Sequence, residues 1–284
     1  MNNTTTTTKF SLTGRLGTWW ARRVEIGRAS SLRQRCQAAT VAAAQIPPAV
    51  RAAWAHHAPD EFPGLAVDDA AWLRCSLGLA QFFEACRLQH EQGPCALPSK
   101  AADSVWHVWL QLDPAGLADW QQRCFGRVVQ HREAAELGAP LDDCLARAWV
   151  GSCRSEGLSR LGPRLPLLFA LDGLLRLPTG WAYRHQRGVL EHRQIDGFGE
   201  PRGSVVAHAG VAVGGLVALG LVSQAELASL RRRQGGGDGG SSCGSDWSFG
   251  DACSSDAGSS CDAGSSSDGG GSSCGSSCGG GGGD

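Results

Sequence analysis

From residue 14 to residue 157 the apolar positions recur at helical spacing. Leu16, Trp19, Trp20, Val24 and Ile26 give one apolar side to a segment whose other faces carry arginines, which predicts a helix from about Gly14 to Gln45, stopped by Pro47-Pro48. Trp54 and the His56-His57 pair follow on a short helix ending near Pro59. A longer helix is predicted from Val67 to about Gln89, opened by Asp68-Asp69, carrying Trp72, Leu73, Leu77, Phe82 and Phe83, and broken by Gln92-Gly93-Pro94. Ser99 reads as the N-cap of a helix with Val105, Trp106, Trp109 and Leu110 on its apolar side. Asp113-Pro114, a cap followed by proline at the first helical position, starts the next, with Leu117, Trp120, Phe125 and Val128. Another runs from Pro140 to Gly157 through Leu145 and Trp149.

Beyond this point the pattern changes. Leu165 to Leu177 is short and uniformly apolar, so its period does not separate helix from strand; helix is the expectation. Strand signals elsewhere are poor, and the fold class predicted is all-α, an irregular helical bundle. Ser204 to Val222 is apolar and free of formal charge over nearly the length of a membrane span, with Arg231-Arg232-Arg233 after it. His208, four glycines and abundant alanine favour a buried helix instead.

Composition adds a sharp boundary. Residues 235–284 hold 18 Gly, 15 Ser, 7 Asp and 5 Cys without a Lys, Arg or Glu, and only Trp247 and Phe249 to seed packing. Such a segment buries too little apolar surface to offset the entropy of ordering its glycines. The organisation expected is a disordered N-terminus over 1–12, a helical body over 13–203, an apolar then basic helix over 204–234, and a disordered low-complexity tail over 235–284.

The tail takes 7 of the 27 acidic residues and none of the 26 basic ones, leaving 26 basic against 20 acidic, a net +6, on residues 1–234. That charge is too dilute to indicate nucleic acid, and its arginine pairs read as solvated helix faces. With no secretory leader in the polar run from Met1 to Thr8, the twelve cysteines are expected as free thiols in the cytoplasm. No C-x-x-C, H-E-x-x-H, G-x-S-x-G or phosphate-binding glycine loop occurs in the body.

Two stretches carry a resemblance. Asp103-Ser104-Val105-Trp106-His107, followed by Cys124-Phe125-Gly126-Arg127-Val128-Val129-Gln130-His131, is the first; Trp149, Cys153, Glu156-Gly157, then Arg164 through Asp172 (RLPLLFALD) and Gly180-Trp181-Ala182-Tyr183 is the second. In that order, ahead of a Gly/Cys tail, they resemble the bacterial glycine-rich domain-containing proteins, whose plant relatives share the D-x-x-W-H element. The resemblance covers roughly residues 95–185 and the character of the tail. It implies a fold and a kind of protein but no reaction. Relatives tend to carry a His-His pair where Gln130 precedes the single His131, and a Tyr and a Cys where Leu117 and Gln121 stand here.

Asp103 and His107 are four apart and share a helix face. A carboxylate that fixes one imidazole nitrogen leaves the other for a metal, a proton or a carbonyl, and His131 is a second ligand if its helix packs antiparallel to the first. The alternative is a buried polar pair tying two helices together. In the tail, Cys274 and Cys278 have C-x₃-C spacing, with Cys243, Cys253 and Cys261 as further thiols, although Gly/Ser spacers preorganise nothing. Cys153 beside Arg154 is either an activated thiol or an inert buried one.

The functional expectation is an interaction or scaffold module for an unidentified protein partner rather than an enzyme. The first alternative is a thiol/His metal or redox protein holding zinc or iron through Asp103, His107, His131, Cys243, Cys253, Cys261, Cys274 and Cys278. The second is a membrane-associated protein anchored by 205–222.

Overall fold

The computed structural model describes residues 29–235; the leader over 1–12 and the tail from 236, with its five cysteines, lie outside them. Residues 29–35 are helical, and the chain turns at buried Cys36 before α1 (Gln37–Ala43), so the helix expected as one piece up to Gln45 is divided there. Six longer helices follow: α2 (Pro48–Glu61), α3 (Asp69–Leu88), α4 (Lys100–Leu112), α5 (Pro114–Phe125), α6 (Leu141–Glu156) and α7 (Leu167–Leu175). Their starts follow the cap chemistry. The Asp68, Ser99 and Asp113 side chains accept from the backbone N–H three residues on, and Gly157 ends α6 in the left-handed region. Pro59 does not end α2, which continues one half-turn to Glu61.

α3 is the central helix, with α1, α4, α6 and α7 packed around it. Gly151 lets α6 come close, since a Cβ there would lie 2.7 Å from the Ala85 Cα on α3. Phe83 of α3 meets Trp106, Trp120 and Phe125 at centroid separations of 4.9 to 5.7 Å. Trp54 donates its indole N–H to Ser104 at 2.8 Å, tying α2 to α4. Two buried polar groups also lock elements together. Gln81 donates to Glu156 and accepts from the Leu168 backbone N–H, both at 2.7 Å, joining α3, α6 and α7. Asp172, the last residue of the LPLLFALD string, accepts from the Ser99 hydroxyl at 2.6 Å and from the backbone N–H of Lys100, Ala101 and Trp181 at 3.0 to 3.1 Å. One carboxylate thereby satisfies the first turn of α4 and the start of the segment after α7. Burial pushes the Asp172 carboxyl up, and those four donors pull it back.

The chain beyond α7 overturns the all-α expectation: the fold is α plus β. β1 (Trp181–Gln186), β2 (Val189–Ile195) and β3 (Pro201–His208) form an antiparallel sheet in the order β1-β2-β3, with Tyr183 opposite His192 and Leu190 opposite His208. Arg187 and Gly188, with φ of 52° and 79°, make a two-residue hairpin turn of the kind that matches strand twist. Asp196 closes the second turn by accepting from the Phe198 and Glu200 backbone N–H groups. These strands escape the hydrophobic pattern because His185, His192 and His208 occupy buried positions, while Arg184, Glu191 and Arg193 alternate with them. The inward face therefore mixes histidines with Tyr183, Leu190 and Ile195, and the alternation is diluted. The histidines are accommodated by aromatic neighbours: Trp149 stacks on His185 at 5.2 Å, and Tyr183 lies 5.4 Å from His192.

The segment expected as one helix over 204–234 is also corrected. It begins inside β3, turns through a short 3₁₀ helix (Ala209–Val211), then forms α8 (Val213–Ala218) and α9 (Gln224–Gly235). The apolar run 205–222 is thus split between three elements, and among the described residues no helix is long and apolar enough to cross a membrane.

Candidate metal centre

α4 is held at its first turn by Asp172 and presents Asp103 and His107 one turn apart, with Ser104, which meets Trp54 of α2, next to them. Gly126, at φ 73°, ends α5 in the left-handed region and releases an extended segment, 127–133. Buried Gln121 pins that segment by accepting from the Val129 backbone N–H at 2.7 Å. His131 arrives on this segment rather than on a helix, which corrects the antiparallel-helix expectation while bringing the ring to the same place.

The three side chains converge. His107 Nε2 lies 3.0 Å from His131 Nε2; His131 Nε2 lies 2.9 Å from Asp103 Oδ1, and His107 Nε2 lies 3.4 Å from Asp103 Oδ2. One ligand atom from each falls within 4.8 Å of the others, and among the described residues this is the one His/Cys/Asp/Glu group so arranged. Trp106 packs edge-on against His131 at 4.6 Å and fixes its ring plane. The side chains are 11% to 23% exposed, so the site is sheltered but reachable. The alternative considered from the sequence, a polar pair tying two helices together, also has a contact here: His107 of α4 reaches Glu61 of α2, while the group as a whole faces a cleft.

Sequence reasoning missed Glu61, 46 residues away in the chain. At the end of α2 its Oε1 lies 2.5 Å from His107 Nδ1. A carboxylate there holds the proton on Nδ1 and turns the Nε2 lone pair toward His131 and Asp103. Two Nε2 atoms 3.0 Å apart cannot both offer lone pairs to each other: a proton or a cation must lie between them. Hydrogen bonding to Asp103 raises the His131 pKa above its usual value, with burial opposing. Separations of 2.9 to 3.4 Å also equal those between neighbouring ligands around one ion, since bonds of about 2.1 Å at right angles span about 3.0 Å.

The group opens on a cleft of about 640 Å³ walled by the 127–134 segment, α4, the end of α3 and the loop at Pro94. Cys86 and Cys95 lie on its wall, hydrogen-bonded to each other, and burial with that bond pushes the Cys86 thiol well above the usual range. Cys153 has no exposed surface, and burial raises it far from thiolate chemistry, so the inert reading holds. His56 and His57 are exposed on α2 and make their ring contact with each other. The tail candidates Cys243, Cys253, Cys261, Cys274 and Cys278 lie outside the described residues.

The chain matches the UCP032817-like family over residues 39–203, more than half its length, and belongs to that uncharacterised family. The matched region contains Glu61, Asp103, His107 and His131 and most of the sheet. No curated protein and no solved structure matches the chain.

Proposed function

We propose that this member of the UCP032817-like family is a metal-binding protein whose cleft holds one divalent first-row transition ion, zinc or iron(II), on Asp103, His107 and His131. The observation that carries the reading is the convergence of two Nε2 atoms and a carboxylate at 2.9 to 3.4 Å, with Glu61 fixing the tautomer of one imidazole from behind. Two imidazoles and a carboxylate suit borderline ions better than calcium or copper(I). Three protein ligands leave coordination positions toward the cleft, as sites that exchange ligands require. The likeness to glycine-rich domain-containing proteins belongs to this proposal too, its D-x-x-W-H element being the one that supplies two of the three ligands.

The test is elemental analysis of the full chain purified without oxygen, beside His107→Ala and His131→Ala. About one equivalent of zinc or iron in the parent and almost none in the variants is the expected result. A parent that neither carries nor takes up metal, or metal that survives both variants and departs when the five tail cysteines become serine, defeats the reading.

An interaction role is the second reading, and one observation favours it: Phe198, at the tip of the β2–β3 turn, is 89% exposed. The free thiols at all seven described cysteines support a reducing, cytoplasmic setting for either role.

A further inference from the structure

A cleft of about 640 Å³ is far larger than a hydrated ion needs and falls in the range of small-molecule sites. Its charged lining consists of Asp103, Arg127, Arg132 and Glu133, which cancel. With Glu61 behind His107 counted, a divalent ion on neutral imidazoles leaves the site with a net charge of about +1. Arg132 donates to the Gln130 side-chain carbonyl at 2.9 Å, whereas Arg127 has no hydrogen bond or ion pair among the described residues. Arg127, an exposed residue lining the cleft, leaves α5 on the same pinned segment that delivers His131, four residues ahead of it, so the two share one backbone anchor. The remaining lining mixes apolar Phe82, Leu97, Trp106 and Val128 with His90 and Gln130.

Resting on the metal reading, we propose that the cleft takes a small carboxylic acid with an apolar body. The carboxylate sits between the ion's open positions and the Arg127 guanidinium, and the body lies against the Phe82, Trp106 and Val128 wall. A guanidinium matches a carboxylate with two parallel N–H donors, which a lysine could not reproduce. A site charge near +1 matches a monoanion, and Phe82, Trp106 and Val128 give its body an apolar side to lie along.

The experiment uses the full chain loaded with cobalt(II), whose visible bands report its ligands, with benzoate and neutral benzamide as probes. Benzoate should shift the bands saturably and quench tryptophan emission, and benzamide should do neither. Arg127→Gln should weaken benzoate at least tenfold while cobalt is retained, and Arg127→Lys should fall between. Cobalt bound through Asp103, His107 and His131 with bands that benzoate does not move, or with benzamide equally effective, overturns the carboxylate assignment and leaves the metal reading standing. If His107→Ala and the parent are alike in taking up no cobalt, the metal reading falls and this inference with it.

Discussion

The cleft group of Asp103, His107 and His131 and the group of Asp142, His208 and His192 beneath the sheet use the same two residue types, yet their geometries differ in kind. In the cleft, two imidazole nitrogens and a carboxylate point at a common centre, and a second carboxylate, Glu61, stands behind one ring. Under the sheet the groups form a line: Asp142 Oδ1 to His208 Nδ1 at 2.9 Å, then His208 Nε2 to His192 Nδ1 at 2.8 Å. Each nitrogen of His208 is occupied in that line, so nothing is offered to a ligand. Both histidines of the line are buried, and burial with the neighbouring His208 lowers His192 to about 4, whereas Asp103 raises His131 in the cleft. Residue type alone does not make a site. Convergence, a carboxylate at the far nitrogen and access to a cleft separate the two.

Breaking the convergent group should have the largest effect. His107→Ala or His131→Ala should lower zinc affinity by more than a hundredfold in competition with a chromophoric chelator, while His192→Gln should leave the stoichiometry unchanged. Metal lost equally from all three variants would erase the distinction between the groups. Next comes the carboxylate behind the ring. Glu61→Gln should weaken binding by about 10- to 100-fold with unfolding hardly altered, because it frees the His107 tautomer without removing a ligand.

The linear group should show itself in acid. The His192 value in the folded chain lies below the unfolded one near 6.5, so the unfolded chain binds the proton first. Its contribution is complete above about pH 6.5 and is lost as pH falls toward 4. By pH 5 the loss amounts to about 2 kcal/mol, read from denaturant unfolding at the two pH values in chelator. His192→Gln should flatten that dependence; an unchanged slope would show that the acid sensitivity lies elsewhere. The smallest effect sharpens the cleft side. Gln121→Ala removes the acceptor for the Val129 N–H, and should cost about 1 kcal/mol of stability and a few-fold in metal affinity through a looser His131 segment.

The contrast also explains what the chain discloses before folding. Asp103 and His107 are readable because helical spacing places them together, and Ser99, Asp113 and Gly157 announce their own helix ends. Gly126 behind Phe125 is harder to read, since apolar spacing carries the expected helix on to Val128, whereas α5 ends at Phe125. Glu61 is not readable, because its relation to His107 exists only after α2 packs on α4. The sheet is hidden for a related reason. Beside Ala182, Tyr183, Leu190 and Ile195, three of its buried positions are histidines: His192 and His208 join Asp142 of α6 by hydrogen bonds, and His185 stacks on Trp149. Periodicity detects burial through apolar residues and is blind to burial achieved by mutual hydrogen bonding. The Asp196-Gly197 turn was the available clue to β2 and β3.

Asp172 sets where this chain can be shortened. Its carboxylate gathers donors from Ser99 through Ala101 and, across the loop after α7, from Trp181. Removing the strands from Trp181 onward would strip that buried carboxylate of one donor at the very point where α4, the helix bearing Asp103 and His107, is anchored. The smallest piece able to report on the cleft therefore extends into the first strand, whose opening residue helps anchor α4 although no side chain of the strand reaches the cleft wall.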